Sequence, residues 1–208
     1  MARSEDVKTP ECTFAFAHGF FELSESKGGK KRYAPTLLFQ KGVDLSALHK
    51  AALDAATEEW GDKAKQWIKD GLIKSPFLDG DGKQALSKKT GERHKGFAGH
   101  TFIRCISGED YKPKVFDRKR NPIMDKEGVP SGSKGFAVIN AFTWENEEQG
   151  KGLSFGISLA QVTKKAEGDE VLGGAGGPDP DEFFDKIEDE GEAPDSTKKG
   201  DGAAGLFG

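Results

Sequence analysis

The sequence has too little cysteine for either a disulfide framework or a four-cysteine zinc site, since Cys12 and Cys105 are its only two. Two buried, reduced thiols are the expectation. It also lacks any uncharged apolar run near the roughly 18 to 20 residues that a membrane-spanning helix needs, and its opening MARSEDVKTPECT has no apolar signal core. No membrane partner and a cytoplasmic location are therefore expected. Apolar residues are sparse at 35% against 32% charged, so the core must be modest. Tyr and Trp are few, at 2 and 3, while Phe reaches 15 and Gly 28. That mixture suits short strands and tight turns better than long helices.

The signatures of catalysis are missing where their chemistry would have to be. Gly91 and Gly96 have phosphate-loop spacing, but Phe97 stands where the loop needs Lys. Asp79 and Asp81 open like a calcium loop, yet Gln84 replaces its glycine and Thr90 its final glutamate. His94, His100 and Cys105 match no common spacing of zinc ligands. SxxK occurs at Ser24–Lys27 and Ser131–Lys134 without its accessory motifs. Carboxylate pairs such as Glu58 and Glu59 lie in polar stretches that read as solvated faces, and no nucleophile is teamed with a base. The expectation is a protein that is not an enzyme, with no cofactor and no metal.

What is present is a charge division. Residues 1–168 carry 28 Lys and Arg against 23 Asp and Glu, whereas residues 169–208 carry 3 against 12. The basic part also holds the ordered patterns. Thr13–Leu23 reads as a strand bent at Gly19, with Phe14, Phe16, His18 and Phe20 on one face, and Tyr33–Phe39 reads as its hairpin partner. Asp44 caps a helix with Leu45, Leu48, Ala52, Ala56 and Trp60 at helical spacing, closed by Gly61. A short second helix over Asp62–Lys69 turns Ala64, Trp67 and Ile68 inward, and Ser75–Gly99 is a long polar loop. Strands follow at Thr101–Ile106, Gly135–Trp144 and Gly152–Leu159, with another short one within Tyr111–Arg120. In the last of the longer strands Leu153, Phe155, Ile157 and Leu159 alternate inward.

The fold class that follows is mainly β: a small, partly open barrel with one principal helix over residues 1–168. Residues 169–208, with the GGAGGP run and DPDEFFDKIEDEGEAPD, are an acidic segment expected to be disordered.

Basic residues interleave with aromatic ones in KKRY, HKGF, YKPKVFDRKR and SKGF. Single-stranded nucleic acid needs this combination, because cations follow phosphates while rings stack on unpaired bases. Most Phe side chains in any barrel are nevertheless core, and the Phe14, Phe16 and Phe20 face packs equally well beneath the helix. The candidate groove places Lys41, Arg104, Lys112, Lys114 and Lys134 on phosphates, and Tyr33, Tyr111, Phe136 and Phe16 on bases.

The motifs FAHGFF from Phe16, KRYAPTLLFQK from Lys31, DLSALHKAALDAATEEWGDK from Asp44, GFAVINAFTW and GKGLSFGISLAQV resemble those of a phage family of single-stranded-DNA-binding proteins. The resemblance runs from about residue 12 to Gly174. It implies an oligonucleotide-binding (OB) fold, similarity to helix-destabilising proteins of phage replication and recombination, and action in the bacterial host cytoplasm. It further implies that the acidic tail recruits replication proteins such as DNA polymerase or helicase, with Phe183, Phe184, Leu206 and Phe207 as its apolar anchors. A homodimer is left open. Two other readings stand beside it: a protein-interaction or scaffold module on the same barrel, and a metal-dependent nuclease.

Overall fold

A computed structural model describes residues 1–25 and 29–172. The chain opens with β1 (Val7–Lys8) and β2 (Cys12–Ala15), and β2 stops where Phe16 takes a left-handed backbone, φ 49° and ψ 43°. The strand expected to run on to Leu23 therefore ends at Ala15. Residues Ala17–Phe20 form a 3-10 turn instead, stitched by the Ala17 amide donating to Ser131 Oγ at 2.9 Å. Gly19 serves close approach and not a strand bulge: a Cβ there would lie 2.6 Å from the Ala34 carbonyl carbon. Phe14 and Phe20 meet edge to face at 5.2 Å inside the barrel, while Phe16 points out.

The next strands are β3 (Ser24–Glu25), β4 (Lys31–Tyr33) and β5 (Thr36–Gln40), so the second predicted strand is broken at Ala34–Pro35. Proline cannot donate to a ladder, and the chain uses that point to change partners. Helix α1 (Ser46–Trp60) begins where Asp44 Oδ1 accepts the Ser46 amide at 2.9 Å, which holds that carboxyl below its ordinary range. It ends at Gly61, φ 61°, whose amide donates to the Thr57 carbonyl. Helix α2 (Lys63–Lys69) buries Ala64 and half-buries Trp67, but Ile68 is exposed, contrary to its expected inward place. With only seven residues, α2 has a single buried position.

Beyond α2 come β6 (Ile73–Lys74), β7 (Leu78–Asp79), β8 (His100–Gly108), β9 (Lys114–Phe116), β10 (Pro122–Ile123), β11 (Lys134–Asn146) and β12 (Gly150–Lys164). The loop expected over Ser75–Gly99 thus holds β7 and a 3-10 turn, Lys83–Ala85. Neighbours run β12–β11–β2–β5–β8, and β8 returns to β12 in parallel through Phe155↔Cys105, closing five strands into a ring. A five-stranded, partly open barrel is the architecture of an OB-type domain. Its interior holds Phe14, Leu37, Phe39, Ile103, Cys105, Ile139 and Phe155, with Leu48, Ala51, Ala52, Ala55 and Ala56 of α1 in the same core. Cys12 and Cys105 are both free and buried, and burial pushes their thiols up.

β11 and β12 pair from end to end with two register shifts, between Lys134 and Gly135 and between Val138 and Ile139; at the second, Val138 faces Leu159, Ile139 faces Ile157, and Ser158 is left out of the register. This bulge reverses the alternation. Leu159, expected inside with Leu153, Phe155 and Ile157, is turned outward at 37% exposure, and Ala160 and Val162 take the inner positions.

Residues 169–172 lie on the body. Lys95 Nζ donates to the Asp169 and Val171 carbonyls at 3.0 and 3.1 Å, and Leu172 packs on a second small cluster containing Phe97 and Phe102. The proposed tail anchors Phe183, Phe184, Leu206 and Phe207 lie outside the described residues. Within them, no helix is long and apolar enough to cross a membrane.

Candidate nucleic-acid interface

Two structural choices create the open surface. α1 packs on β11, and its alanines demand small residues opposite. The inner positions of β11 are Gly135, Ala137, Ile139, Ala141 and Thr143, all buried and small except Ile139, with Gly135 leaving room for the Phe14 ring. The alternate positions Phe136, Val138, Asn140, Phe142 and Trp144 face outward and stay half-exposed. Across from them β12 presents Gly152, Ser154 and Gly156, pairing with Trp144, Phe142 and Asn140. Large rings thus stand beside a low floor. At Gly152 the fit is tight enough that a Cβ would fall 2.1 Å from the Trp144 ring.

A cleft of about 1010 Å³ opens on this face. Its walls carry Arg3, Lys30, Lys31, Arg32, Lys112 and Lys114, with Asp110 the one acidic residue lining it among the described residues. Tyr111 and Phe142 supply its rings, and Leu159, extruded by the bulge, forms part of its wall. Tyr111 is 77% exposed on a turn closed by its own amide donating to the Gly108 carbonyl and by Ser107 Oγ donating to the Tyr111 carbonyl. Lys112 Nζ lies 5.5 Å from the Phe21 ring centre. Asn140 donates from Nδ2 to Asp6 at 2.9 Å, while its buried Oδ1 has no partner.

Of the residues expected to form one groove, the structure brings Tyr111, Lys112 and Lys114 together here. Phe136 lines an adjoining depression of about 320 Å³ with Lys8, Phe116 and Arg120, and the two share Leu159. Arg104 lines a third depression with Lys74, Lys83 and Trp144; its guanidinium donates to the Gln84 carbonyl at 2.8 Å, and burial lowers its pKa. The remaining candidates stand elsewhere. Tyr33 is buried, so its ring is not offered to a ligand. Lys41 is held by Asp79 at 2.8 Å and Asp81 at 2.7 Å, hydrogen bonds that raise its pKa and occupy its charge. Phe16, 38% exposed, rests against His94 at 5.1 Å and Phe97 at 6.0 Å and lines none of these depressions. Lys134 is exposed at the start of β11, paired in register with Thr13 and Lys164.

Arg3, Lys8, Phe142 and Trp144 line these depressions and are not among the residues that the sequence singles out. A signal for the last two existed: in GFAVINAFTW the even positions are large and the odd ones mostly small. A strand whose bulky side cannot be its core side is what the packing of α1 produces. Arg3 and Lys8 carried no such mark, because only pairing of the N-terminal segment with β11 puts them there. Among the described residues no three His, Cys, Asp or Glu side chains gather as a metal site would need.

A family model described as Enterobacter phage Enc34, ssDNA-binding protein, matches residues 5–194. No curated protein matches the chain. Among solved structures, the single-stranded DNA-binding protein from bacteriophage Enc34 in complex with ssDNA is 18% identical, with a TM-score of 0.53, over 78% of this chain and 88% of that one. The gp2.5 single-stranded DNA binding protein encoded by bacteriophage T7 is 12% identical, with a TM-score of 0.55, over 91% of this chain and 100% of that one. At these identities the structures speak to the fold, whereas the family match spans most of the sequence: the chain belongs to the Enc34 single-stranded-DNA-binding protein family.

Proposed function

We propose that the protein binds single-stranded DNA without sequence preference during phage replication and recombination, through its OB-type barrel and without catalysis. The observation that carries this reading is the cleft on the outer face of β11 and β12, where, among the described residues, six cations and one carboxylate surround Tyr111 and Phe142. Exposed rings take unpaired bases, and the cations take the phosphates and release their counterions. A duplex keeps its bases stacked and cannot use the rings.

Polarisation titrations with labelled oligonucleotides test this directly. Single strands should bind more tightly than duplex of equal length, with affinity falling steeply as salt rises. Equal affinity for duplex would overturn it. No binding to either would favour a protein-interaction module on the same barrel, and loss of the oligonucleotide in magnesium or manganese would favour a nuclease.

The acidic segment has a separate role in this reading: it recruits replication proteins such as polymerase or helicase through Phe183, Phe184, Leu206 and Phe207. What supports it is composition, 12 acidic against 3 basic residues over 169–208, with apolar side chains set among them. Removing residues 175–208 should abolish capture of those proteins and tighten DNA binding at low salt. Unchanged behaviour in both respects would dismiss it.

A further inference from the structure

Each of the three outward aromatic rings of β11 has a cation over it. Lys8 Nζ stands 4.3 Å from the centre of Phe136, Arg3 Cζ 5.7 Å from Phe142, and Lys74 Nζ 5.8 Å from Trp144. The cations come from different places. Arg3 and Lys8 belong to the N-terminal segment, which runs antiparallel along β11 through Arg3↔Phe142 and Lys8↔Val138. Lys74 comes from β6, which lies parallel to β12 with Lys74 opposite Gly152. All three side chains are exposed, and none has a carboxylate partner among the described residues. The rings line three depressions in succession along one strand face, containing Phe136, then Phe142, then Trp144. Eight residues of strand separate the first from the last, roughly 27 Å at the usual rise.

From this arrangement we infer that the three cations are exchangeable caps: each covers an aromatic ring in the free protein and transfers to a phosphate when a base stacks on that ring. This rests on the single-stranded-DNA reading above and extends its binding track from the central cleft to both flanking depressions, with Lys8, Arg3 and Lys74 as binding residues. The physical reason is competition for one surface. A ring face holding an ammonium or guanidinium cannot at the same time hold a base. An exposed cation–ring contact is weaker than a base stack, so the base displaces it. The displaced side chain is long and flexible, and the phosphate of the incoming nucleotide is the nearest unsatisfied anion. Capping also keeps three half-exposed rings from presenting bare apolar surface before DNA arrives.

Two measurements on the full chain decide it. In the free protein the Lys8 side-chain methylene protons should resonate upfield under the Phe136 ring current, and saturation with an oligo-dT strand should return them to ordinary positions. In parallel, Arg3→Ala, Lys8→Ala and Lys74→Ala should each make the dependence of log affinity on log salt shallower by about 0.7, and the triple variant by about 2. Lys74→Arg should restore its share. Phe136→Ala, Phe142→Ala and Trp144→Ala should lower affinity about 5- to 150-fold each while leaving the salt slope unchanged.

Lysine signals that stay upfield at saturation, a triple variant with the wild-type slope, or ring variants with wild-type affinity would overturn the exchange while wild-type binding to single strands leaves the parent reading standing. Failure of the wild-type protein to bind single strands would overturn both.

Discussion

The two faces of β11 obey opposite rules. Inward, Gly135, Ala137, Ala141 and Thr143 are small: Gly135 leaves room for the Phe14 ring, α1 packs on the strand with its own alanines, and large side chains for that core come from β2, β5, β8 and β12. Outward, Phe136, Phe142 and Trp144 are large, half-exposed and attended by cations. Bulk on the solvent side of a strand contributes less to stability than the same bulk inside. Its presence there, beside a floor of Gly and Ser, is what the proposed binding surface rests on. Neighbouring residues such as Ala141 and Phe142 should accordingly answer to different experiments.

The largest expected effect lies on the inner side. Phe155 is fully buried and paired with Ala141. Phe155→Ala should cost about 3–5 kcal/mol, lowering the thermal midpoint by on the order of 10 °C, as calorimetry would read. Whatever folded protein remains should bind DNA with its usual affinity. Phe142→Ala should do the converse: a loss of about 1–3 kcal/mol in single-strand affinity by titration, with a stability change of about 1 kcal/mol or less. Coincident losses of stability and binding in both variants would erase the distinction between the faces.

Gly152→Ala sharpens it at one position, because the added Cβ would displace the Trp144 ring that lies against Gly152. Affinity should fall by about 1 kcal/mol, and acrylamide quenching of Trp144 should rise. Unchanged quenching would mean that the ring does not depend on the glycine.

The smallest effect concerns charges away from the cleft. Hydrogen bonds from Lys41 and the Gly99 amide, with Arg93 nearby, hold the Asp81 carboxyl below its ordinary range. Since its folded value is depressed, the stabilisation is present above the ordinary carboxylate range and fades as pH falls through the lowered value. The protection factor of the Gly99 amide, its exchange by NMR relative to the intrinsic rate at each pH, should fall as pH drops through that window, and Asp81→Asn should make that factor independent of pH there. The site is exposed, so DNA affinity at neutral pH should not change.

Legibility in the sequence was uneven for physical reasons. α1 was readable because the helical spacing, Gly61 and the Asp44 carboxylate on the Ser46 amide are all local, although the N-cap position itself falls to Leu45 and not to Asp44. The termination of β2 at Phe16 was not, since a left-handed Phe is held there by the fit of Gly19 against Ala34 and of Ala17 against Ser131, contacts distant in sequence. Leu159 failed a clean alternation for the same kind of reason, as leaving Ser158 out of the register reverses the sides of residues 159–162. In the candidate site, Tyr111, Lys112 and Lys114 were legible because they lie within four residues of one another, from the turn into β9, whereas Tyr33 and Lys41 fit the same pattern and were claimed by the core and by Asp79 and Asp81.

By itself the sequence determined a mainly β body with a basic balance, one principal helix, an acidic C-terminal stretch and the chemistry of rings among cations. Those properties depend on composition and on spacing of a few residues. Only the tertiary structure decided which rings are free, because the face a strand shows to solvent is set by what packs on the other side, and which cations reach them, because Arg3, Lys8 and Lys74 arrive from segments remote in the chain.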